Sequence, residues 1–423
     1  MTRSFEELTT AEFEAFAQTH ADGSYLQTAS QARLLARRGW QTRLVGLVED
    51  HKVQAAAVLG WIPVKMGNLF QIDGGMLIDF SNQELVTEFV AGVMAFAKEH
   101  RGLFLRIMPN AIYRKFNDDG DQIGTDNRTV IDALTAIGFT HTPATQGWTT
   151  NSSPSWQYVK SLQPVLDAGG DSKALRASFA KDGKYYLKKT DQFGIKVHRL
   201  VKDELPAFKA LTQDTANRLD YHDKDLDFYE TVFEEYGDDA YFVFAEMDFP
   251  AYIKGQQQAR DHLAEVVANL DTRISEKPNY KKLKRQRAEY ADQHKQHEKR
   301  IAQAQTARQE AGKDVVVIAG ALFLATANEM IYLYSGTYDE YKNFYGPYAV
   351  QEYAFKQAVA RKIPNYNFYG ISGVFDGSDG VLGFKQGFAG HAEEKVGSFI
   401  KPINSTKYAV YRFLKENFGS RIV

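Results

Sequence analysis

Residues 251 to 313 form one long, charged, helix-forming stretch set between two runs of strand character. Asp239-Ala-Tyr-Phe-Val-Phe-Ala-Glu246 precedes it and Val315-Val-Val-Ile-Ala-Gly-Ala-Leu-Phe-Leu-Ala-Thr326 follows it. Few sheets tolerate a helical arm between neighbouring strands, so this interruption narrows the fold more than any other feature. The arm is also where positive charge collects. Residues 251–314 carry 14 Lys and Arg against 9 Asp and Glu, in a chain whose net charge is −2. Such local excess points to a polyanionic partner for the arm rather than for the whole molecule.

The arm divides at Lys277-Pro278. Its first half repeats Leu263, Val267, Leu270 and Ile274, spaced as a coiled-coil seam. Its second half keeps the register through Leu283, Tyr290, His297, Ile301 and Ala304, with Arg287 and His294 also at seam positions. An antiparallel hairpin with a partly polar seam is expected. Lys281, Lys282, Lys284 and Arg285 fall near its tip and would suit RNA phosphates. A solvated spacer or a dimerisation arm is the plainer alternative.

At 423 residues the chain is long enough for two compact domains and the arm. It has no cysteine, which excludes disulfides, zinc–thiolate sites and a cysteine nucleophile, and fits a reducing compartment. Met1-Thr-Arg-Ser-Phe-Glu-Glu7 is too charged for a signal peptide. The longest apolar run, 315–334, is broken by Thr326, Asn328 and Glu329, and reads as two strands and a turn rather than a membrane span.

Element order repeats on either side of residue 150. Helices are expected at 10–18 and 30–38, strands at 42–48 and 53–62 around a turn at 49–52, and further strand to 78. Helix 82–101 has Leu85, Phe89, Val93 and Phe96 on one stripe. Strand 103–107 and helix 129–137 follow. The second half gives helices 203–213 and 225–236, strand 240–247, the arm, strands 315–326 and 331–336, helix 347–361, strand 366–370 and helix 405–418. The simplest account is an α/β (α+β) fold of two units, each a mostly antiparallel sheet flanked by helices. The expected division is 1–150, then 151–250 with 314–400, then the arm at 251–313. A C-terminal helical segment, 401–423, packs on the domains.

An ordered series of short motifs fills the C-terminal third: Tyr332-Leu-Tyr-Ser-Gly-Thr337, Gly346-Pro-Tyr-Ala-Val-Gln351, Tyr366-Asn-Phe-Tyr-Gly-Ile-Ser-Gly373, Gly383-Phe-Lys-Gln-Gly-Phe388 and Lys401-Pro-Ile-Asn404. With Leu26-Gln-Thr28, Arg43-Leu-Val-Gly46 and the arm, the series resembles the Fem family of non-ribosomal peptidyl transferases, in its FemA/MurM-like layout. The resemblance implies two GNAT-acyltransferase-like domains with an inserted coiled-coil arm. It implies transfer of Ala, Ser or Gly from aminoacyl-tRNA to the side-chain amine of the third stem-peptide residue. The acceptor would be lipid II or UDP-MurNAc-pentapeptide, and the product the peptidoglycan cross-bridge. No cofactor is expected beyond the aminoacyl-tRNA co-substrate. The cytoplasm, with transient contact at the inner membrane face, is the expected location.

Turning an ester into an amide needs no covalent enzyme intermediate, which suits a chain lacking both cysteine and a G-x-S-x-G elbow. It does need stabilisation of the developing oxyanion. Lys385 matches the family lysine given that role; a surface lysine in a Gly-rich loop is the alternative. Lys181, Lys184, Tyr185 and Lys188 share one helix face and match the stretch that binds the acceptor's phosphates; a solvated basic face is the alternative. Tyr334 matches a tyrosine lining the acceptor site, or is a core tyrosine. Arg218 sits in a family-like loop. The family's Trp and Lys after Leu-Gln are Ala32 and Leu35 here, which leaves Arg37 as a candidate phosphate contact. Pro109-Asn110 stands where Pro-Asp is common, so no general base is assigned there. Two rivals remain: an acyl-CoA-dependent GNAT-type N-acyltransferase, against which the missing R/Q-x-x-G-x-G/A loop counts, and a non-catalytic protein that binds tRNA or another partner through its arm.

Overall fold

A computed structural model of the protein describes residues 3–148 and 153–418. Two mixed sheets carry the architecture. In the first, the neighbours run Ser4–Glu7, Gln41–Glu49, Lys52–Val64, Gly67–Asp73, Gly102–Met108, Ser398–Pro402 and Thr140–Thr142. In the second they run Lys196–Arg199, Ala240–Asp248, Val315–Ala325, Glu329–Thr337, Asn365–Gly370, Trp156–Ser161, His391–Lys395, Ile112–Phe116 and Gln122–Ile123.

Each sheet contains one parallel pair, and each pair is joined by a crossover helix, as parallel neighbours require. Gly67–Asp73 and Gly102–Met108 are linked through helix Gln83–Glu99. Glu329–Thr337 and Asn365–Gly370 are linked through helix Gly346–Ala360. Phe89 and Val93 of the first helix are fully buried on their sheet. Phe355 of the second stacks on Tyr366, ring centroids 3.9 Å apart.

The arm takes the place of a hairpin turn. In the first half, strands Gln41–Glu49 and Lys52–Val64 are joined by Asp50 and His51, both at positive φ (48° and 62°), the backbone of a tight hairpin. In the second half the matching strands stay paired out to Asp248 and Val315. There the chain leaves as helix Phe249–Glu276 and returns as helix Lys281–Ala311. Asp248 caps the first helix, accepting from the Ala251 N–H at 2.9 Å, and Gly312 ends the second at φ 62°. Leu263, Leu270, Leu283, Ile301 and Ala304 are buried in the seam. Two polar seam positions are satisfied across it, Arg287 donating to Asp271 at 2.9 Å and His297 meeting Gln256 at 2.7 Å, while His294 meets Glu298 on its own helix at 3.7 Å.

Sheet membership crosses the division expected at residues 150 and 400. Ile112–Phe116 and Gln122–Ile123 belong to the second sheet, and Ser398–Pro402 to the first. Helix Ser405–Phe418 packs on the first half, with Tyr411 against Leu103 and Phe104. The strands at 4–7, 112–116, 156–161, 196–199, 391–395 and 398–402 are findings of the structure. They are short, and partners from distant sequence hold them.

The halves are also pinned by ion pairs. Arg33 meets Glu235 at 2.7 Å, Arg37 meets Glu234 at 2.5 Å, and Arg38 meets Asp225 at 2.9 Å. Arg37 therefore ties helix Ala29–Arg37 to helix Leu226–Tyr236 instead of standing open to a phosphate. Arg37→Ala is expected to change any transfer rate by less than about threefold, since exposed pairs contribute little. A steady-state assay checks this, and a loss of acceptor binding would restore the phosphate role.

Candidate active site

Pairing between the second sheet's parallel strands stops at Ile331 and Asn367. Beyond that point the strands part. Tyr369, at the parting end, is held at φ 63°, an uncommon conformation for a side chain of its size. Its N–H donates to Asn367 Oδ1 at 2.8 Å, and its hydroxyl lies 3.2 Å from that of Tyr25 in the first half.

Lys385 lies against this end. It belongs to helix Gly380–Gln386, whose start is fixed by Asp379. That carboxylate accepts from the N–H groups of Ser372, Val381 and Leu382 at 2.9, 2.9 and 3.0 Å. Lys385 is only 3% exposed, and its Nζ donates to the Gly370 carbonyl with the Tyr369 carbonyl 3.4 Å away. Burial pushes its pKa down to about 7, with the nearby Asp379 carboxylate opposing the shift. An ammonium held at the brink of losing its proton, beside parted strands, is suited to steadying a transient oxyanion.

Just past Lys385, the Gly387 carbonyl accepts the Ala180 N–H at 3.1 Å. Gly183, in helix Lys181–Phe193, packs so closely on Gly387 that no Cβ would fit. The basic helix and the Lys385 loop are thereby one packed unit. Lys181, Lys184, Tyr185 and Lys188 all lie exposed on this helix. Beneath them is a lysine that sequence reading missed. Lys160 is buried in strand Trp156–Ser161, donating to the Ser178 and Ala389 carbonyls at 3.0 Å each. Burial, aided by Lys184, lowers its pKa to about 8. A lone cation ending the run Trp156-Gln-Tyr-Val-Lys160 was the available signal.

On the other side of Tyr369, a cavity of about 250 Å³ opens between the halves. Arg106, Gln157, Glu329, Asn367 and Lys395 line it. Asn367 donates to Glu329 at 2.8 Å and to Gln157 at 2.9 Å. Burial raises the Glu329 carboxyl pKa, and burial also raises that of Asp73 against the pull of Arg106. Sequence reading found none of these groups, because the segments that carry them, around 106, 157, 329, 367 and 395, meet only in the folded chain.

Of the remaining candidates, Tyr334 packs in the same cluster as Tyr25 and Tyr369, near the parted strands, and the others lie farther off. Tyr334 packs edge-on against Phe228 and Tyr229, with centroids 5.7 and 5.8 Å away, and burial raises its hydroxyl pKa. Arg218 donates to the Thr337 carbonyl at 2.9 Å, bracing the end of strand Glu329–Thr337. Lys281, Lys282, Lys284 and Arg285 are exposed at the arm tip, ~40 Å from its root by helical rise.

The FemAB family model matches residues 8–416. The chain belongs to the FemAB family. Relatives named aminoacyltransferase FemA, from Staphylococcus aureus strains N315 and COL, are each 34% identical over 420 residues, covering 97% of this chain and 98% of theirs. By this membership the chain is an enzyme of the aminoacyltransferase class. Among solved structures, that of FemX superposes with a TM-score of 0.77 at 21% identity, over 96% of this chain and 99% of that one. That likeness shows a shared fold, built here on the two mixed sheets. Among the described residues of this FemAB member, no helix is long and apolar enough to cross a membrane.

Proposed function

We propose that this FemAB protein transfers an amino acid (Ala, Ser or Gly) from aminoacyl-tRNA to the side-chain amine of the third stem-peptide residue of lipid II or UDP-MurNAc-pentapeptide. The observation that carries the proposal is Lys385, buried against the parted strands with its Nζ on the Gly370 carbonyl. Ester aminolysis places negative charge on the carbonyl oxygen as the amine attacks, and a single desolvated ammonium stabilises it strongly. Lys181, Lys184 and Lys188 supply positive charge for the acceptor's pyrophosphate. The ribose hydroxyl beside the ester relays the proton from the attacking amine. A tRNA ending in 2′-deoxyadenosine that reacts at full rate through its 3′-ester would remove that relay. The enzyme acts in the cytoplasm and meets lipid II at the inner membrane face.

The decisive test incubates the protein with charged tRNA pools and either acceptor, then weighs the product. A mass gain of one aminoacyl residue, dependent on the RNA, is expected. Turnover of an acyl-CoA in place of aminoacyl-tRNA would establish the rival acyltransferase reading.

A further inference from the structure

The root of the arm meets helix Lys181–Phe193 and the segment before helix Gly346–Ala360 in a groove of about 500 Å³, a size that holds nucleotide-scale ligands. Five aromatic side chains line it and its charge is mostly positive: Tyr185, Phe193, Tyr252, Phe344 and Tyr345, with Lys189 and Arg300 against a single carboxylate, Glu340. Tyr185 is 53% exposed, and the Lys189 ammonium lies 5.4 Å from its ring centroid. Tyr345 is held at φ 57° and braced by Tyr186 and Phe193, with centroids 4.7 and 6.2 Å away. Among the described residues, Lys181, Lys184, Lys188, Lys189 and Arg300 have no carboxylate within ion-pair distance, whereas Asp191 on the same helix is already taken by Arg176 at 2.6 Å.

Exposed rings beside uncompensated cations are the means by which proteins hold unpaired nucleotides: the rings stack with bases and the cations meet phosphates. A line of rings also leads inward from the groove. Tyr185, Tyr186, Tyr348 and Phe384 follow one another at centroid spacings of 5.2, 4.7 and 4.9 Å, and Phe384 precedes Lys385. We propose that this groove seats the unpaired 3′ end of an RNA, directing its terminal ester toward Lys385. The proposal rests on the transferase reading above and adds the place where the RNA donor docks. It assigns Tyr185 to the RNA and keeps Lys181, Lys184 and Lys188, on the same helix face, for the acceptor's pyrophosphate.

The test measures binding apart from transfer. A fluorescent RNA hairpin with an unpaired 3′ CCA is titrated against the full chain by anisotropy, beside the same hairpin with a blunt end. The unpaired end is expected to tighten binding. Tyr185→Ala should weaken it about tenfold while Tyr185→Phe restores it, since stacking and not the hydroxyl is invoked. Arg300→Gln should reduce the slope of log Kd against log salt by about 0.7, the share of one single-strand phosphate contact. Equal binding of the two hairpins, or indifference to both substitutions, would overturn the groove while RNA-dependent transfer kept the enzyme reading intact. Loss of RNA-dependent transfer in the unaltered protein would instead sink the enzyme reading. Vesicles of anionic lipid, tested in parallel, should bind the Tyr185→Ala and unaltered proteins equally; a selective loss there would make the groove a membrane contact.

Discussion

Lys385→Met is expected to lower transfer by about 10²- to 10³-fold and, at the same time, to yield a protein that resists heat better at neutral pH. Both effects follow from one fact, the burial of an amine with little charge nearby to compensate it. The folded pKa of about 7 lies below the ordinary lysine value. Between the two, the unfolded chain holds a proton that the folded chain has shed, so folding stability rises with pH across that window. Below pH 7 the folded protein carries the full cost of a buried charge. Methionine removes that cost and fills similar space. It also leaves the Gly370 and Tyr369 carbonyls without their donor, which gives part of the gain back. A net gain of roughly 1–3 kcal/mol at pH 7 is expected, shrinking as pH approaches 10. Thermal unfolding of both proteins at several pH values measures it. A variant that keeps full transfer would end the oxyanion role, and a variant that is less stable at pH 7 would show that the amine is well solvated.

Gly183→Ala should also damage activity, less severely, by a route with no charge in it. The added methyl would fall inside the van der Waals radius of the Gly387 carbonyl oxygen, and backbone on both sides leaves nothing flexible to yield. Helix Lys181–Phe193 would have to lift from the loop that carries Lys385. A loss of about 1–3 kcal/mol in stability is expected, with at least a tenfold fall in kcat because the lysine and the basic helix lose register. Denaturant unfolding and steady-state kinetics separate the two. Normal kcat with normal stability would mean that the helix and loop move independently.

Much of this could be read from the chain before its structure was known. The arm announced itself through charge and seam spacing, and Leu263, Leu270, Leu283 and Ile301 are buried where that spacing put them. Lys385 was found only through its place in a motif series, since composition marks it as nothing more than a lysine among glycines. Short strands such as His391–Lys395 stayed hidden because their sequence is charged and their order comes from neighbours more than 200 residues away. Arg37 misled for a related reason: a helix face rich in arginine looks available until an acidic helix from the other half is laid across it. The inter-half cavity drew Tyr25, Arg106, Glu329 and Lys395 from widely separated segments, and no spacing rule reaches that far.

The position of Ser398–Pro402 has a consequence for how the molecule is made. This strand lies between Gly102–Met108 and Thr140–Thr142, in the interior of a sheet otherwise built from the first third of the chain. During synthesis the early portion emerges with a slot one strand in from its edge, unpaired on both sides. It cannot close until residues 398–402 have been made, so this sheet stays incomplete, and open to chaperones, while the whole stretch from 143 to 397 is synthesised.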